Sequence, residues 1–207
     1  MKKVLVVTAH PDDMEIACAG TLKKFEYAGA EITSIVTVQP SAEVNKNRNK
    51  EIVEQELYSS YYKSQFSLRL FDTDLHPNGR PNLVCDNNTM SRLNDLVIDC
   101  DLAIVPNIED WHQDHRNTHQ LILPLLKDVP EIWMMHSWPY HKSYTVQPNI
   151  FVDITDHYKF KKDLLNSYSS YLSNKDIDQI VLCNQYWGLQ TDTQYAEAFS
   201  LLKRNVY

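Results

Sequence analysis

The chain has 207 residues, 43% of them hydrophobic and 23% charged, with a net charge of −7. This is enough for a substantial core, while the acidic balance excludes a nucleic-acid binder, since phosphate contacts need clustered Lys and Arg. No apolar run nears the roughly 18–20 residues that cross a bilayer, and the apolar stretch after Met1-Lys2-Lys3 is too short for an export signal, so a cytoplasmic protein is expected.

Val4–Thr8 is an apolar run that closes on a polar cluster, the mark of a buried parallel strand delivering side chains to its carboxyl edge. Glu15–Ala28 spaces Ile16, Ala19, Leu22 and Phe25 by three and predicts a helix stopped at Gly29. Ile32–Val38 reads as a second strand, Asn47–Tyr62 as a helix and Phe66–Phe71 as a short third strand. Pro77, Asn78, Gly79 and Pro81 make Asp72–Asn88 a loop. Ser91–Cys100 follows as helix, Leu102–Val105 as a buried strand, and Thr118–Lys127 as a helix bent near Pro124. Glu131–His136 is a strand, Trp138-Pro139-Tyr140-His141 leaves regular structure, Asn149–Asp153 is a late strand and Asp156–Leu172 a long helix. The alternation predicts an α/β fold, a mostly parallel sheet with helices on both faces. With no repeat, linker or low-complexity tract, residues 1–207 read as a single domain.

Only 4 glycines are present, and none form a phosphate-cradling loop, so a dinucleotide or P-loop site is not expected. Cys18, Cys85, Cys100 and Cys183 contain no Cys-x-x-Cys pair and read as packing thiols. Lys159, Lys161 and Lys162 read as a solvated helix face.

The chemistry lies in two clusters. His10-Pro11-Asp12-Asp13 follows the first strand, and His112-Gln113-Asp114-His115 follows Leu102–Val105. Ligands of open α/β sheets bind at the carboxyl edge. Catalytic zinc takes three protein ligands from His and Asp/Glu and leaves a place for water. If the two strand ends are neighbours, His10, His115 and one aspartate of the pair supply that set, and the other aspartate serves as general base. Spacing does not say which is which. His112 can stabilise a developing oxyanion, with Asp114 holding its imidazole in one tautomer. The plainer readings are that Asp12 and Asp13 cap a helix and that the histidines only pack; two such clusters, each after an apolar strand, outweigh them. His119, one turn beyond His115, reads as structural.

Ala9-His10-Pro11-Asp12-Asp13, with Glu15 and Ala19-Gly20-Thr21-Leu22, resembles the opening motif of the PIG-L/LmbE-like zinc de-N-acetylases. His112-Gln113-Asp114-His115 resembles the family's His-Pro-Asp-His element, with Gln113 in place of proline. Phe151-Val152-Asp153-Ile154-Thr155-Asp156 with Lys161 or Lys162, and Tyr195-Ala196-Glu197-Ala198-Phe199, resemble its later motifs. The resemblance implies a Rossmann-like fold and a zinc-dependent amidase that deacetylates N-acetylglucosamine conjugates. It implies His10, Asp13 and His115 as metal ligands, Asp12 as base, and His112 as electrophile oriented by Asp114. Arg48, in Arg48-x-x-Glu51, resembles a sugar-binding arginine of the family; Gln39-Pro40-Ser41-Ala42-Glu43 departs from its Gly-rich segment. Trp111, Trp138 and Tyr140 either stack on a sugar face or pack in the core. Fe²⁺ suits the same mixed N/O donors as Zn²⁺, and relatives often form homo-oligomers. The competing readings are a metal-dependent hydrolase of another ester or amide, a Mg²⁺-binding signalling module, and a metal-binding α/β protein without turnover.

Overall fold

A computed structural model of the protein describes residues 2–38, 50–76, 81–136 and 146–205. Seven strands form one sheet in the order β3-β2-β1-β4-β5-β7-β6. β1 (Lys3–Thr8), β2 (Glu31–Val36), β3 (Ser67–Leu70), β4 (Leu102–Val105) and β5 (Glu131–Met135) run parallel. β7 (Ala196–Arg204) pairs antiparallel with both β5 and β6 (Ile150–Asp153). From β1 the chain winds outward to β2 and β3, then returns to the other side of β1 as β4. The switch of winding falls between β1 and β4, and the crevice at their carboxyl ends is where such folds bind ligands.

Alternating β1 side chains feed two cores. Leu5, Val7 and Ala9 pack with Leu93 of α4 (Asn87–Asn94) and with Leu121 and Ile122 of α5 (Gln113–Ile122). Val4 and Val6 face the other way, onto Met14 of α1 (Asp13–Ala17), Leu22 of α2 (Ala19–Tyr27) and Leu57 of α3 (Lys50–Ser64). A third cluster joins Leu165 of α6 (Tyr158–Leu165), Tyr168 and Leu172 to Ile177 and Ile180 of α7 (Asn174–Gly188). Helices thus cover both faces, as the alternation predicts. No helix among the described residues is long and apolar enough to cross a membrane.

The helix boundaries differ from the periodicity in instructive ways. The first predicted helix is two, broken at Cys18. α4 begins at Asn87 rather than Ser91, because the Asp86 carboxylate accepts the Thr89 N–H at 2.7 Å and starts the helix inside an Asn-rich stretch. α5 begins at Gln113, five residues before Thr118, with a 3-10 turn over Leu123–Leu126 where the bend at Pro124 is expected. The helix expected to reach Leu172 ends at Leu165. Periodicity names neither α7 nor β7. Lys161, read as solvated, is fully buried: its Nζ donates to the Ile16 carbonyl at 2.8 Å and to Glu197 Oε1 at 2.7 Å. The Glu197 carboxylate also accepts the N–H groups of Gly20 (3.0 Å) and Thr21 (2.7 Å) at the start of α2. Of the cysteines, Cys18 and Cys100 are buried, whereas Cys85 is exposed.

Candidate metal centre and active site

β1 ends at Thr8 and the chain turns at once into α1. Asp12 occupies the N-cap position of α1 but its side chain makes no capping bond, so a helix-capping role does not account for its burial. Asp13 reaches backwards instead: its Oδ2 accepts the backbone N–H of Ala9 at 3.1 Å and of His10 at 2.8 Å. This tie closes the loop around Pro11 and fixes one carboxylate oxygen beside the His10 ring.

The loop from β4 to α5 delivers the second cluster. His112 is the N-cap of α5, its Nδ1 accepting the Asp114 backbone N–H at 3.2 Å. Asp110, absent from every sequence expectation, organises the loop. One carboxylate oxygen accepts the His112 backbone N–H and the other lies against His115 Nδ1, both at 2.8 Å. Arg116 donates to the Asp110 and Trp111 carbonyls, each at 2.6 Å. His119 Nδ1 lies 2.7 Å from the Pro106 carbonyl, the structural role expected of it.

These partners fix where the ring hydrogens sit. A carboxylate only accepts, so Asp110 draws the hydrogen of a neutral His115 to Nδ1, and Nε2, 3.2 Å from Asp13, is the nitrogen left for a cation or, without one, a second proton. His10 Nε2 faces Asp114 Oδ2 at 3.1 Å, which leaves its Nδ1 as the lone-pair nitrogen. His10 Nδ1, Asp13 Oδ2 and His115 Nε2 then face one another. The separations are 3.7 Å for His10–Asp13, 3.2 Å for His115–Asp13 and 3.2 Å for His10–His115. Donors at about 2.0–2.2 Å from a tetrahedral zinc lie roughly 3.3–3.6 Å apart. Three lone pairs at that spacing fit a small divalent cation.

The imidazoles of His10, His112 and His115 can also hold a metal as a group, with ring nitrogens within 4.8 Å of one another. The helix cap weighs against His112 as a ligand. With Nδ1 accepting from Asp114, the hydrogen of the neutral ring is on Nε2, and neither nitrogen offers a lone pair. The same contact changes the expected partner of Asp114. Its carboxylate is 3.1 Å from His10 Nε2 but 3.9 Å from His112 Nδ1, so it orients His10, and a backbone N–H orients His112.

The electrostatics agree with the contacts. Burial opposes charge on His115, yet the carboxylates of Asp13 and Asp110 raise it to about 10. Burial likewise opposes charge on Asp13, but His115 and His10 outweigh it and hold the carboxyl well below its ordinary range. His112 moves the other way, lowered by burial and by its two imidazole neighbours. Without a cation the His115 ring thus carries both hydrogens, and a cation bound there would take the place of the one on Nε2. Trp111, on the same loop, is 60% exposed. Arg48, Trp138 and Tyr140 lie outside the described residues.

A doubly wound sheet with an imidazole–carboxylate niche at its switch point defines an α/β protein with a side-chain cluster that could hold a metal ion. The model of the PIG-L family, the GlcNAc-PI de-N-acetylases, matches residues 5–126, more than half of the chain, and the chain belongs to that family. Among solved structures it resembles the conserved protein TT1542 from Thermus thermophilus, at 20% identity and TM-score 0.81, covering 100% of this chain and 97% of that one. It resembles N,N'-diacetylchitobiose deacetylase from Pyrococcus horikoshii at 19% identity and TM-score 0.77, covering 97% and 84%. The 4-carboxy-2-hydroxymuconate hydratase GalB from Pseudomonas putida KT2440 is as similar in shape, at 16% identity and TM-score 0.82, covering 100% and 98%. At these identities the likeness is one of fold, and the hydratase shows that the fold hosts more than one reaction.

Proposed function

We propose that the protein is a zinc-dependent de-N-acetylase that removes the acetyl group from an N-acetylglucosamine-type conjugate. The observation that carries this reading is the triangle of His10, Asp13 and His115, with the next residue in sequence, Asp12, buried and not capping its helix. In this reading His10, Asp13 and His115 hold the cation, with Fe²⁺ an acceptable substitute for Zn²⁺. A divalent cation there supplies Lewis acidity, polarising the amide carbonyl and easing deprotonation of water.

The chain's own groups do the rest. Asp12 takes the proton of the attacking water and returns it to the departing amine. His112, as a neutral imidazole with its hydrogen on Nε2, donates to the developing oxyanion; one such donor is worth about 2.7–4 kcal/mol in comparable sites. Asp114 and Asp110 hold the rings of His10 and His115 so that the ligating nitrogens stay aimed inward. Arg48 is assigned to the sugar, and Trp111, by its exposure beside His112, to a sugar face. The substrate is thus a small N-acetylated amino-sugar conjugate.

The test is amine release from a panel of N-acetylglucosamine conjugates, with chelator-stripped protein as control. Asp13→Ala and His115→Ala are expected to lose zinc from a stoichiometry near one per chain, whereas Asp12→Ala keeps the metal and loses at least about 100-fold in kcat. Undiminished amine release after replacement of both His10 and His115 would end the metal reading. Hydration of an alkene acid with no amine release would move the chain to the chemistry named for the Pseudomonas hydratase.

A further inference from the structure

Behind the His10–Asp13 loop runs a buried hydrogen-bond chain that no step above uses. Ser60 of α3, Glu15 of α1 and Tyr168, just past α6, are all fully buried. The Tyr168 hydroxyl donates to the Pro11 carbonyl and lies 2.9 Å from Glu15 Oε1, and the Ser60 hydroxyl donates to that same Oε1. A hydroxyl has one hydrogen, and the Pro11 carbonyl has none to give, so Tyr168 donates there. That one hydrogen also lies toward Glu15 Oε1, so the Tyr168 hydroxyl bridges the two acceptors and ties the Pro11 carbonyl to the Glu15 carboxylate.

Pro11 has no backbone N–H, so its carbonyl is the one polar backbone handle at that position. The carbonyl lies in the plane of the Pro11–Asp12 peptide, and holding it sets the orientation from which the Asp12 side chain departs. Resting on the reading of Asp12 as general base, we propose that Tyr168, backed by Glu15 and Ser60, is a positioning residue. It grips the Pro11–Asp12 peptide and keeps the Asp12 carboxylate in place beside the donor triangle.

Tyr168→Phe removes one hydrogen bond and little volume. It is expected to lower kcat for amine release roughly 10- to 100-fold with zinc retained. KM should stay within about twofold, and the thermal midpoint should fall by about 2–4 °C. In metal-free protein, amide hydrogen exchange over residues 9–14 should speed up while β4 and β5 keep their protection. Glu15→Leu should match Tyr168→Phe in kcat, and Glu15→Gln, which still offers an amide oxygen to the Tyr168 and Ser60 hydroxyls, should recover most of the loss. Wild-type exchange over residues 9–14, or wild-type kcat, in Tyr168→Phe overturns the proposal. So does a Gln variant no better than Leu, or loss of protection across the whole sheet. A wild-type protein that releases no amine from any conjugate sinks the deacetylase reading alone, and the exchange pattern then still decides whether the grip exists.

Discussion

His115 enters the niche with one nitrogen already engaged. Asp110 accepts its Nδ1 hydrogen and leaves Nε2 to face Asp13 and His10, so under the proposed metal reading the ring is aimed before any cation arrives. The second oxygen of Asp110 holds the His112 N–H, which separates two effects in a single variant. Asp110→Asn keeps an acceptor for His112 and loses the charge facing His115. Zinc affinity is expected to weaken about 10- to 100-fold, measured by competition with a chromophoric chelator, while the α5 helix is kept. Unchanged affinity would mean that His115 is aimed by packing alone. Spacing does not choose between Asp12 and Asp13 as ligand, but the clusters His10–Asp13 and His112–His115 are legible in the sequence because each follows an apolar strand. Asp110 is not: an aspartate five residues before a histidine in a loop has no periodic signature, and its role exists only once the loop folds back. Asp114 is legible as a partner for a histidine, but spacing cannot say which ring a side chain reaches across a crevice.

Elements are joined by groups whose partners lie far away in sequence. The break between α1 and α2 at Cys18 exposes one set of carbonyls and one set of N–H groups. Lys161 meets the Ile16 carbonyl, Glu197 meets the Gly20 and Thr21 N–H groups, and the two close on each other at 2.7 Å in full burial. Gly20 also leaves room for Ile154, whose Cβ would stand 2.8 Å from a Cβ placed there. Removing one member of a buried pair strands the other. Lys161→Met is therefore expected to cost about 3–5 kcal/mol in urea unfolding. A loss under about 1 kcal/mol, the range of an exposed pair, would contradict the burial. Strands β1 and β4 are readable from their apolar runs, since a strand covered on both faces is apolar throughout. α7 carries a readable signal that periodicity overlooks: Ser173 and Asp176 form a reciprocal capping box. Lys161 carries none, because lysine is rarely found fully buried.

For the molecule as a whole, the sheet order places the first and second motifs on adjacent strands, β1 and β4, at the switch of winding. Alternation of elements predicts the fold class, but the adjacency of two segments a hundred residues apart comes from topology. The insertion of β7 between β5 and β6 has no local signal at all. Stability also answers to single buried groups. Burial pushes Glu15 up to about 8 from an ordinary 4.5, against the hydrogen bonds from Ser60 and Tyr168. Between those values the folded state holds one proton more than the unfolded chain, so this contribution is full below about pH 4.5 and is lost as pH rises through about 8. Denaturant titrations across that window should show stability falling with pH, with the slope reduced in Glu15→Gln. An equal slope in both proteins would assign the dependence to other groups.

The carboxylate that finishes the start of α2 belongs to β7, far along the chain from the loop whose helices it steadies. On the ribosome, His10 through Asp13 are synthesised well before Glu197, so the helices behind them are expected to lock only once Glu197 has emerged. Stalled nascent chains released just short of Glu197 should therefore stay protease-sensitive around Gly20, and resistance there would show that the early half matures unaided.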